Sequence, residues 1–152
     1  MRHASLPMYD LEPLRVTTDA WWAGLAGHCV EAGLDGVPPT LTRPDDLTND
    51  WIDPDLLFSQ TCGYPLTHAL AGHVQLVATP CYDAPGCDGA AYRSMVLVAA
   101  DSKVTTIAAL RGGRCAINGY TSQSGCNALR PLIAPLARDG RFFGEVLISG
   151  GH

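Results

Sequence analysis

The sequence predicts an α/β fold with a largely parallel sheet, on three observations. Short apolar runs of strand length (residues 55–60, 74–79, 92–99, 114–118 and 142–148) alternate with segments whose apolar residues recur at helical spacing. Turns rich in Gly and Pro separate these runs. The longest apolar stretch, residues 94–100, is strand-sized and far short of a membrane-spanning helix.

In chain order, residues 7–13 read as a strand end and a turn closed by Glu12-Pro13. A helix is expected from Thr17, capped by Thr18 or Asp19, with Trp22, Leu25, Ala26, Cys29 and Val30 on one apolar stripe. Gly33 and Gly36 end it. Residues 40–43 form a brief strand before a polar loop containing Asp45, Asp46, Asn49 and Asp50. Residues 55–60 read as a buried strand and 66–70 as a short helix. Further strands are expected at 74–79 and 92–99, parted by a turn-rich segment, then a short helix at 106–110 ending at Gly112-Gly113. A strand at 114–118 leads into a helix that reaches about residue 138 and is kinked or shortened by Pro131 and Pro135. Residues 142–148 form the last strand.

Apolar residues make up 47% of the 152, enough for a sizeable core and against disorder. A net charge of −5 with one lysine, Lys103, argues against a nucleic-acid partner, which needs a basic surface. Residues 1–9 contain no apolar h-region, so no secretory signal is expected. The six cysteines contain no C-x-x-C pair, so neither a zinc site nor any other metal or cofactor is expected. Cys29, Cys115 and Cys126 read as core residues. Cys81 and Cys87 flank a turn and would pair only in an oxidising compartment, so free thiols are expected.

The segment 116–129 points most directly at a ligand. A short strand runs into Asn118, Ser122, Gln123, Ser124 and Gly125, then into an amphipathic stretch, which places hydroxyls and backbone N–H groups at a helix start. Ser122 and Ser124 are hydroxyl donors, the amides of Ser124, Gly125 and Cys126 complete a nest, and Asn118 orients the turn. The competing reading makes Ser122 or Ser124 an N-cap and nothing more. Two further loops, Thr61-Cys62-Gly63-Tyr64 and the stretch from Tyr82 to Tyr92, follow strand ends, where ligands of parallel sheets bind. Cys62 is also conceivable as a nucleophile paired with a histidine. His28, His68 and His73 read as surface residues.

Six motifs in order carry a resemblance: residues 59–66, 77–80, 92–94, 110–112, Asn118 with 122–125, and 150–152. Together they resemble the phosphate, phosphite and phosphonate substrate-binding proteins of ABC transporters, over almost the whole chain. The resemblance implies a type II periplasmic-binding-protein fold, non-enzymatic, with residues 1–92 as a first lobe and 93–152 as a crossing strand and the start of an incomplete second lobe. It implies that residues 122–125 hold the anion and that Thr61, Cys62 and Tyr64 form the first-lobe wall, with Tyr9, Tyr82, Tyr92 and His152 completing the ligand set. It implies a small oxyanion as ligand, a membrane permease as partner and a periplasmic location, the cytoplasm being the alternative when no leader is present. Self-association through the incomplete lobe is expected. Two other functions compete: an enzyme on the same fold with Cys62 as nucleophile, and a ligand-sensing regulatory domain.

Overall fold

The computed structural model describes residues 1–150. It is a mixed structure of helices and small parallel sheets. The chain forms two compact units that divide between Gln75 and Leu76, whereas the sequence reading set its lobe boundary at 92/93.

In the first unit, strand β1 (His3–Ala4) pairs in parallel with β2 (Leu56–Phe58). The segment expected as a strand at 40–43 contributes one parallel bridge, Thr42 to Ser5, and the Thr42 amide and hydroxyl both donate to Ala4 O, at 2.8 and 3.0 Å. Helix α1 (Arg15–Glu31) lies between β1 and β2 in sequence. Trp22 and Ala26, one helical turn apart, bury against Ala4 and Leu6, with Leu25, Val37, Leu41 and Phe58 packed around them. Trp22 is 1% exposed, and its indole N–H donates to Pro38 O at 3.0 Å, so the one polar atom of the ring is satisfied. Val30, on the expected stripe, is exposed.

The start of α1 differs from expectation. A 3-10 turn over Glu12–Leu14 runs directly into it, since Pro13 lacks only an N–H that a first turn leaves unbonded anyway. Neither expected cap acts as one: Thr18 Oγ1 donates back to Leu14 O, and Asp19 receives the Arg43 guanidinium. The C-terminus follows expectation, with Gly33 at φ +85° donating to Val30 O. The polar stretch taken as a loop holds helix α2 (Leu47–Trp51), because Asp46 Oδ1 accepts from the Thr48 and Asn49 amides and so nucleates the turn. Helix α3 (Gly63–Thr67) starts three residues before the expected one.

In the second unit, β3 (Arg114–Ile117) and β4 (Glu145–Ile148) pair in parallel, Arg114 opposite Glu145 through Ile117 opposite Ile148. A short 3-10 turn, Ile107–Leu110, precedes β3. The expected helix after β3 is broken into three pieces: a π-type turn over Gln123–Asn127, helix α4 (Arg130–Ile133) and a 3-10 turn over Ala134–Leu136. Pro131 and Pro135 each sit near the opening of a separate piece, where a missing N–H does no harm. Ile117, Cys126 and Phe142 are buried here. Period-two alternation puts Cys115 on the same face of β3 as Ile117, and burial, then the nearby Cys126, pushes the Cys115 thiol up.

Two expected strands are absent. Residues 74–79 and 92–99 carry no ladder, and Val77 and Leu97 are 78% and 86% exposed. The crossing strand expected at 92–99 is therefore not formed among the described residues. A strand exists only as half of a pair, and apolar composition names no partner. All six cysteines are free thiols.

Candidate functional site

The turn that follows β3 is built largely from small polar residues and glycines. Parallel pairing continues past the strand ends: Ser149 N donates to Ile117 O at 2.9 Å and Gly150 N to Asn118 O at 3.0 Å. This holds Asn118 at the carboxyl end of β3. The chain then turns so that Ser122 O accepts from the amides of Cys126 (3.2 Å) and Asn127 (3.0 Å) and from Asn127 Nδ2 (3.1 Å). Ser122 Oγ accepts from the Gly125 amide at 3.0 Å.

Gly125 is a point of close approach, where any side chain would displace a neighbour. A Cβ there would collide with the Asn118 side chain and stand 2.9 Å from Ser122 Oγ. Asn118, Ser122 and Gly125 are thus brought together from three positions along eight residues of chain. Ser122 fulfils the capping role, and the Gly125 amide that was expected to face an anion is committed to it. The Ser122 O–H remains a donor, since a hydroxyl accepts and donates at once. Among the described residues, the Ser124 hydroxyl and amide carry no hydrogen bond. Gln123 opens the π-type turn.

The first-unit candidates follow β2. Cys62 precedes α3 in an extended conformation, Thr61 Oγ1 donates weakly to Cys62 O at 3.4 Å, and Tyr64 stacks on His68 with centroids 4.0 Å apart. His68 Nδ1 lies 3.0 Å from both Tyr64 O and Thr67 Oγ1. That ring is engaged with its own helix. Tyr9 is a half-exposed residue at φ +66° in the turn after β1, where Leu11 N donates to its carbonyl at 2.8 Å.

Tyr82 and Tyr92 belong to the second unit. Reciprocal bonds between Asp88 and Ala91 fold the chain back. Burial pushes the Tyr82 phenol up, with Tyr92 and then Cys87 close enough to add to it. His152 lies outside the described residues.

One polar cluster escaped the sequence reading. Asp50 is buried and accepts from Ser5 Oγ at 2.7 Å, while its other oxygen lies 2.9 Å from His3 Nε2. Ser5 Oγ also meets Ser59 Oγ at 2.7 Å, and the Trp51 indole donates to Ser59 Oγ at 3.2 Å and to Gln60 O at 3.1 Å. The order is His–Asp–Ser, with the carboxylate in the middle. A hydroxyl is activated by an imidazole between it and the acid, so this arrangement ties β1, α2 and the end of β2 together and does not generate a nucleophile. The only local signal was the Asp46 cap, which turns α2 so that Asp50 faces inward.

Among the described residues no group of His, Cys, Asp and Glu is arranged to hold a metal ion, and no helix is long and apolar enough to cross a membrane. Comparison with family models, with curated proteins and with solved structures gives no match.

Proposed function

We propose that this chain binds a small tetrahedral oxyanion, of the phosphate, phosphite or phosphonate class, at the carboxyl end of β3, and does no chemistry on it. One observation carries the reading. Asn118, Ser122 and Gly125 pack closely in the turn, and the Ser122 and Ser124 hydroxyls and the Ser124 amide are left as donors with no acceptor among the described residues. Donors beyond the carboxyl end of a parallel pair are where such folds take ligands. Their number and type suit a compact anion better than an apolar molecule.

The type II binding-protein class, and service as the solute-binding component of an ABC transporter, belong to the same proposal and rest on the sequence resemblance. Binding raises the melting temperature by mass action. A thermal-shift series with phosphate, phosphite, methylphosphonate, aminoethylphosphonate and sulfate is expected to give a rise with at least one of them, and Ser124→Ala is expected to reduce it. If no oxyanion at millimolar concentration gives a rise that depends on Ser124, the reading fails.

A further inference from the structure

The described ion pairs all lie in the first unit: Arg43 with Asp10 and Asp19, Arg15 with Asp10, the Met1 ammonium with Asp55, and His3 and His28 with neighbouring carboxylates. From residue 106 onward the sequence sets Arg111, Arg114, Arg130, Arg138 and Arg141 against Asp139 and Glu145 alone. None of these arginines reaches a carboxylate among the described residues.

The backbone brings three of them near one another at the amino end of the β3–β4 pair. Gly112 N donates to Phe142 O at 2.8 Å, so Arg111 and Arg141, the residues just before these two, flank one backbone crossing. Arg138 and Arg141 exchange backbone bonds of 2.8 and 2.9 Å around a tight turn in which Asp139 and Gly140 have φ of +51° and +74°. The segments are pressed together here, since a Cβ on Gly144 would stand 2.5 Å from Gly112 O. The Arg111 guanidinium lies over the buried Phe142 ring, its Cζ 6.0 Å from the centroid, and its Nε is buried with no acceptor among the described residues. A buried N–H without an acceptor is costly, and an aromatic face holds a guanidinium in plane while leaving its edge free for oxygen acceptors.

We propose that Arg111, Arg138 and Arg141 form a binding site for a phosphate group, supplied by inorganic phosphate or by a phosphomonoester. It lies at the opposite end of the strand pair from the Ser122–Ser124 hydroxyls and is independent of them. Arg138 and Arg141, both exposed, supply charge, and Arg111, held over the Phe142 ring, supplies the terminal nitrogens of its guanidinium. Asp139 stands in the same turn and opposes an anion.

Isothermal titration of the full chain at low ionic strength, with inorganic phosphate and with phosphoserine, tests this. Arg138→Ala/Arg141→Ala is expected to weaken phosphate binding by about tenfold or more, Arg111→Lys by several-fold although charge is kept, and Asp139→Asn to tighten it. Circular dichroism melts check that each variant folds, and the double variant changes only exposed side chains. Ser124→Ala leaves this site unchanged, which separates it from the site at the other strand end. Phosphoserine binding as tightly as phosphate identifies an ester as the source, and binding about tenfold weaker identifies the free ion. Phosphate binding that is absent at millimolar concentration, or unaffected by the double variant, overturns the proposal. So does a dimer in sedimentation that dissociates in the double variant without phosphate binding, because carboxylates of a second copy then occupy the arginines.

Discussion

Both units pair two short strands in parallel through a helical connection, and both place small polar residues where the strands end, yet they are supported very differently. The first unit closes a core around Trp22 and neutralises its charges on one another, as where Asp19 and Asp10 hold the Arg43 guanidinium's pKa up. The second buries Ile117, Cys126 and Phe142, leaves Val77 and Leu97 in solvent, and among the described residues keeps its arginines without carboxylate partners. Stability and recognition draw on the same groups: polar atoms spent inside a unit are unavailable to a ligand. The first unit spends them, and the second holds them out.

The comparison is tested hardest at the two large buried rings. Trp22→Ala is expected to cost about 3–5 kcal/mol, because it opens a cavity and strips Pro38 O of its donor. Phe142→Ala, at a site with fewer buried neighbours able to leave a void, is expected to cost about 3 kcal/mol, at the low end of the same range. Urea unfolding followed by far-ultraviolet circular dichroism measures both. A Phe142→Ala loss exceeding that of Trp22→Ala would reverse the ranking of the two units.

The turn at β3 and the Asp50 cluster come next. Gly125→Ala forces a methyl into the Asn118 side chain and is expected to destabilise by about 1–3 kcal/mol while abolishing oxyanion binding at this turn. Asp50→Asn removes a charge-assisted acceptor from Ser5 and His3, with an expected loss of about 1–3 kcal/mol and no change in oxyanion affinity. Calorimetric melts and phosphate titrations of the two variants separate a binding turn from a purely structural tie. Equal effects on affinity would erase that distinction.

The smallest effect belongs to the exposed pair of the Met1 ammonium and Asp55, 2.7 Å apart. Each partner shifts the other through a direct hydrogen bond first and its charge second: the ammonium's pKa rises and the carboxylate's falls. The raised group stabilises fully below its unfolded value of about 8 and loses that as pH rises through the folded value. The depressed carboxylate stabilises fully above about 4 and loses that as pH falls through its own folded value. The pair's contribution is therefore level between about pH 4 and 8 and declines outside that window, weakly because both groups are in solvent. Urea midpoints of the wild type and Asp55→Asn across pH should differ least at the extremes, and a gap that widens at either extreme contradicts the pairing.

What the sequence disclosed follows from range. Helix α1, strands β2, β3 and β4, the breaks at Pro131 and Pro135 and the glycine after α1 were readable, because each depends on spacing within a few residues. Residues 74–79 and 92–99 misled, since apolar character alone names no pairing partner and neither segment is in a strand among the described residues. The Asp50 cluster was illegible, because it joins Ser5 to positions 45 and 54 residues away. At the candidate site, the residues of the turn were legible as a group. The commitment of the Gly125 amide to Ser122, which decides which donors remain, is a property of the folded turn that residue spacing does not encode.

The most direct test is a phosphate titration followed residue by residue in ¹⁵N–¹H correlation spectra of the full chain. The account predicts saturable shifts at the amides of Asn118 and of residues 122–125, with the amides of β1, α2 and the Asp50 cluster unmoved. Shifts confined to the first unit, or none at residues 122–125 at millimolar phosphate, would contradict it.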